Sequence, residues 1–88
     1  MMRVVRLEKA KILFRKGEAG EAKKQILIIL SSLNQNFKGN EVYWLYLHIV
    51  TAVSDPDLSS KALFKANQLN PSSPKVLGAM LLHYYRSK

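Results

Sequence analysis

The sequence predicts an all-α chain of five antiparallel helices. Three observations lead there. Apolar residues recur at three- and four-residue steps through most of the chain. Clusters of Gly, Pro, Asn, Asp and Ser fall between the periodic stretches. Those stretches run to about 11–15 residues, longer than ordinary strands.

The first helix is expected over residues 3–16. Val4, Leu7, Ala10, Leu13 and Phe14 mark its apolar spacing. Arg15 and Lys16 suit the negative end of the helix dipole, and Gly17 caps it. The second helix opens within residues 19–21 and runs to 33. Ala22, Ile26, Ile29 and Leu33 form one stripe, which Leu27, Ile28 and Leu30 widen nearly all round. A helix that apolar needs cover on more than one side. Residues 34–40, with Gly39, read as a connecting loop.

The third helix is expected over 41–53. Residues 42–50 are rich in Val, Ile and aromatics and also fit a buried strand. Their length and the helical patterns on both sides favour helix. Ser54-Asp55-Pro56-Asp57 is a turn in which Pro56 forces the break, and either Asp55 or Asp57 caps the next helix. That fourth helix runs to 69, with Leu58, Ala62, Leu63, Ala66 and Leu69 inward. Asn70-Pro71-Ser72-Ser73-Pro74 is a stop and a new start: Ser73 fits an N-cap and Pro74 a first turn. The fifth helix runs to 86.

With 88 residues there is room for a single domain and a marginal core. A monomer of this size buries about 60–65% of its unfolded surface. Yet 48% of the residues are hydrophobic, an excess that favours a partner or self-association. The absence of cysteine excludes disulfides, thiolate metal sites and a cysteine nucleophile. The start has no signal-peptide pattern, because Arg3 and Arg6 interrupt it. The longest apolar runs, 26–30 and 42–50, the second broken by His48, fall short of the ~20 residues that span a bilayer. The expectation is a cytoplasmic protein without a membrane span. The formal net charge is +8, and eight basic residues lie in the first 24 positions. Such a balance attracts nucleic acid, acidic proteins or anionic surfaces without choosing among them.

Little in the chain suggests chemistry. His48 and His83 are far apart, with no carboxylate or serine at a useful spacing in sequence. The six acidic residues are scattered, and Asp55 and Asp57 flank a proline in a capping role. Gly17 and Gly20 lack the lysine and serine of a phosphate loop. No enzyme activity, cofactor or metal is expected.

Two segments carry repeated punctuation. Arg15-Lys16-Gly17-Glu18-Ala19-Gly20-Glu21-Ala22 resembles the inter-helix turn of a tetratricopeptide (TPR) repeat, with Ile26 and Ile29 following at the family's spacing. Ala66-Asn67-Gln68-Leu69-Asn70-Pro71 resembles the end of such a repeat. Counting back places Leu63 and Ser59, and then Tyr43, Tyr46, Leu47 and Val50, at packed positions. Counting forward by about 34 residues places Leu77, Met80, Leu81 and Tyr84 likewise. In the first unit a strict count puts Arg6 and Lys9 at apolar positions, and a shift by one replaces them with Leu7, Ala10 and Phe14. The resemblance implies a single domain over residues 1–88 with about 2.5 TPR-like helix-turn-helix repeats in an α–α superhelix. The first repeat covers 3–33, the second 40–70, and a capping helix or half repeat 74–86.

The resemblance further implies a protein-binding groove on the first helix of each pair. Its candidate residues are Leu7, Lys11, Phe14, Trp44, His48, Lys75, Leu82 and Tyr85, with Val4, Thr51 and Gly78 also facing it. In the other register of the first helix, Val5, Glu8, Ile12 and Arg15 face the groove. Tyr43 and Tyr46 are read as core. A carboxylate clamp is rejected, because of Leu7, Lys11, Leu45, Lys75 and Ala79 at its positions only Lys75 fits. The implied function is a small chaperone or co-chaperone of the type III secretion kind, gripping an apolar or amphipathic, acidic helix of a partner. The alternatives are a basic nucleic-acid-binding domain and a structural homodimer.

Overall fold

The computed structural model describes residues 2–32 and 40–86, with side chains from residue 5 onward. Among the described residues the chain is helical and has no strand. Its elements are α1 (Met2–Arg15), α2 (Ala19–Ser31), α3 (Glu41–Thr51), α4 (Pro56–Leu69) and α5 (Pro74–Arg86). Leu33 and the loop expected up to Gly39 lie outside the described residues, as does the side chain of Val4.

The helix ends follow local chemistry. Gly17 takes φ +85°, the left-handed conformation that favours glycine. The Glu18 N–H donates to the Leu13 carbonyl and the Gly17 N–H to that of Phe14, the double closure of a Schellman cap. Between α3 and α4, Asp55 is the cap: its Oδ1 accepts from the Leu58 N–H at 3.2 Å, and Pro56 opens the helix. α3 stops at Thr51, two residues before the expected end. The Asp55 N–H closes back on the Thr51 carbonyl, leaving Val53 fully in solvent.

Each helix packs against the next, and α3 and α4 run antiparallel. Arg6 Nη1 on α1 donates to Gln25 Oε1 on α2 at 3.0 Å. His48 meets Ser59 near the α3–α4 turn, while Asn70 Nδ2 donates to Glu41 Oε1 at 2.7 Å at the far end. Phe64 of α4 stands edge-on to His83 of α5. The smallest dimension of the molecule is 19 Å, about two helix diameters, so the chain forms a plate two helices thick.

The core has two clusters. Ala10, Ala22, Ile26, Leu30, Leu47, Val50 and Ala62 join α1 through α4. Leu45, Leu63, Ala66 and Val76 join α3, α4 and α5. Trp44 packs against both. Ala22, Ala62 and Ala66 are fully buried, and these small side chains let the helices approach closely. Each large side chain wholly withdrawn from water, such as Ile26, Leu47 or Leu63, contributes about 1.5–3 kcal/mol. α5 is the least anchored element: Val76 is its single buried residue.

Candidate functional site

α3 and α5, with Phe14 of α1, line an open cleft of about 880 Å³. Phe14 comes from the end of α1. Val42, Leu45, Tyr46 and Ile49 come from α3, Ala52 from the turn after it, and Gly78, Ala79 and Leu82 from α5. Pro56, Ser59 and Ser60 at the start of α4 close one end. A smaller hollow of about 320 Å³ lies between α1 and α3 and shares Phe14, Tyr46 and Ile49 with the first. The two make one apolar trough running from α5 to α1.

The polar groups sit around this floor. Lys75, His83 and Arg86 line the α5 wall and His48 the α3 wall. No aspartate or glutamate lines either hollow. The six acidic side chains are held elsewhere. Glu8 pairs with Lys11 at 2.9 Å and Glu21 with Lys24 at 3.2 Å. Glu41 accepts from Asn70. Asp55 caps α4 and reaches Lys23 at 4.0 Å. Glu18 and Asp57 stand in solvent.

His48 is fixed by the helix it crosses. Ser59 Oγ donates to the His48 carbonyl at 2.8 Å and lies 2.8 Å from Nδ1. With its proton on Nδ1 the imidazole donates to the Ser59 carbonyl at 3.0 Å. Nε2 is then the nitrogen left to an occupant of the cleft. Burial holds this histidine below the usual range, and His83 and Arg86 lower it further; the Ser59 carbonyl works the other way. Ser59 is buried and its hydroxyl proton is engaged by a backbone carbonyl, so the pair works as a clip between α3 and α4.

The eight residues singled out from the sequence separate into two groups. Phe14, His48, Lys75 and Leu82 come together on the cleft. Lys11 lies in the smaller hollow, its Nζ 5.0 Å from the centre of the Tyr46 ring. The hydrogen bond from Lys11 to Glu8 raises the lysine pKa. Leu7 is buried, and Trp44 is packed between the two core clusters. Tyr85 is 69% exposed and meets Tyr84 edge-on, outside the cleft lining. Gly78 is on the cleft, whereas Thr51 is fully buried and donates to the Leu47 carbonyl at 2.6 Å. Of the alternative first-helix set, Val5, Glu8, Ile12 and Arg15 are all exposed, and Arg15 borders the smaller hollow.

Ile49, His83 and Arg86 lie on this surface without a place in the sequence expectation, and Leu45 and Ala79 entered it only as clamp positions. On α3 the cause is plain: residues 42–50 are apolar almost all round, so spacing does not say which side meets a neighbour. On α5 the signal was present. Lys75, Gly78, Ala79, Leu82, His83 and Arg86 recur at helical spacing, a mixed face of small, apolar and basic residues.

Among the described residues no group of three or more His, Cys, Asp or Glu is placed to hold a metal ion. No helix among them is long and apolar enough to cross a membrane. No protein-family model matches the chain, and no curated protein or solved structure matches it.

Proposed function

We propose that this chain is a non-catalytic protein-binding module of TPR-like build, which holds the apolar face of a partner's helix in the cleft between α1, α3 and α5. The observation that carries the reading is the cleft itself: about 880 Å³, floored by Phe14, Leu45, Ile49, Ala79 and Leu82. A helix is about 10 Å across with its side chains, and helix-in-groove recognition asks for an apolar trough between packed helices. The TPR-like arrangement is supported by the order of packing, each helix against the next, and by the use of the first helix of each pair as the wall of the trough. In the setting the resemblance implies, the module is a small chaperone that covers an aggregation-prone helix of a secretion-apparatus subunit until assembly.

Gly78 provides the test. A Cβ at this helical position meets nothing within 4 Å, so the side chain of Gly78→Leu starts into open space on the trough. It also replaces glycine in a helix, a gain of about 0.5–1 kcal/mol. The variant is expected to melt no lower than the parent and to lose the protein that co-purifies with the parent from its native host. Leu27→Asp, on the exposed outer side of α2, is the control and retains it. Loss in both variants, or a partner unaffected by Gly78→Leu, overturns the reading.

A further inference from the structure

We infer that the occupant of the trough is an acidic amphipathic helix of another protein, with carboxylates about eleven residues apart on the edge that faces α5. This rests on the helix-binding reading above and adds the charge and spacing of the ligand. The trough is apolar along its floor and cationic along one wall. Lys75 stands near the start of α5 and Arg86 at its end, with His83 beside Arg86, and all three line the cleft. None of the six aspartate and glutamate side chains lines it, and the ion pairs among the described residues involve neither Lys75 nor Arg86.

The spacing follows from the helix. Eleven residues of α5 at about 1.5 Å each separate Lys75 from Arg86 by about 16 Å along the axis, and eleven residues are close to three full turns. Both cations therefore flank one face. A ligand helix lying along α5 presents two carboxylates to them when these are also about three turns apart on one side. Between the cations stand Gly78, Ala79 and Leu82, two small residues that admit a backbone and one large apolar contact. A second copy of this chain is a poor occupant, because fourteen Lys and Arg against six Asp and Glu make the copies repel one another.

The test uses one amphipathic peptide of about 18 residues with a leucine stripe at helical spacing. It is made with Glu, Gln or Lys at two flanking positions eleven residues apart, and its binding to the full chain is followed by fluorescence anisotropy. The Glu peptide is expected to bind about fivefold tighter than the Gln peptide at low salt, an advantage that shrinks as salt rises. The Lys peptide binds more weakly than either. The double variant Lys75→Glu with Arg86→Glu, both at exposed positions, abolishes the preference for Glu without lowering the melting temperature. Equal binding of the three peptides overturns the charge assignment and leaves the helix-binding reading standing. No binding by any of them overturns both. Displacement of the Glu peptide by a random-sequence DNA duplex, with the loss reversed by salt, shows a polyanion site instead and overturns the assignment to a helix.

Discussion

Gly17 and His48 carry most of what can be tested at single positions. Gly17 holds φ +85° with both Schellman hydrogen bonds made around it. A Cβ there meets no neighbouring atom, so the strain in Gly17→Ala is confined to the backbone. The expected loss is about 1 kcal/mol, read by chemical denaturation, with the cleft lining unchanged. His48 gives the pH dependence. Its folded pKa lies below the 6.5 of an ordinary histidine, so the unfolded chain binds more protons and stability rises with pH. The contribution of this group is present above 6.5 and is lost as the pH falls toward the folded value. The charged and titratable groups that face it are His83 and Arg86 of α5, and α4 offers the Ser59 carbonyl. His48→Gln is expected to flatten the stability profile below pH 6.5, above the range where carboxylates titrate. An unchanged slope would remove His48 from the account. The Ser59 clip behind this behaviour was not legible in the sequence. Its partners are eleven residues apart across a turn, and only the crossing of α3 and α4 sets them 2.8 Å from each other.

At the scale of elements, α5 stands apart. Leu77, Leu81, Tyr84 and Tyr85 are between 47% and 69% exposed, and only Val76 is buried. Counting by repeat places Leu77, Leu81 and Tyr84 where the first helix of a pair meets the second, and they form the bare outer face of α5. Hydrogen exchange is expected to be fastest for α5, with α3 and α4 best protected, because protection follows buried contacts. Val76→Ala removes the anchor and costs about 2 kcal/mol. It should speed exchange within 74–86 far more than within 41–69. Equal acceleration throughout would mean that α5 unfolds only with the whole. Helix ends were readable because they rest on short-range chemistry: Gly17 at a left-handed cap, Pro56 and Pro74 at first turns, Asp55 at an N-cap. Helix faces were readable where polar residues interrupt the apolar ones. Ala22, Ile26 and Ile29 on α2, and Ala62, Leu63 and Ala66 on α4, are buried as their spacing required. On α3 only His48 interrupts them between 42 and 50, so spacing does not choose a face: Trp44 sits in the packing and Leu45 and Ile49 on the cleft.

For the molecule as a whole, a small core and a large apolar surface coexist. A chain of this length has about 4–13 kcal/mol of stability in total. Leu47 is fully buried at the centre of the larger cluster. Leu47→Ala is expected to remove about 3 kcal/mol and to lower the melting temperature by about 15 °C. Leu81→Glu, on the bare face of α5, should stay within about 0.5 kcal/mol of the parent and reduce concentration-dependent light scattering. Scattering that falls with Leu81→Glu but not with Gly78→Leu assigns self-association to the outer face of α5 rather than to the trough.

Trp44 turns this architecture into a signal. It is the only tryptophan in the chain, and its indole packs against both core clusters, with Nε1 buried and unpartnered among the described residues. Its ultraviolet emission therefore arises at the junction where α5 joins the other helices. A red shift that precedes the loss of far-ultraviolet circular dichroism on heating would record α5 lifting from the plate while α1 to α4 keep their helices. A ligand that seats against α5 would delay that shift without any dye attached to either molecule.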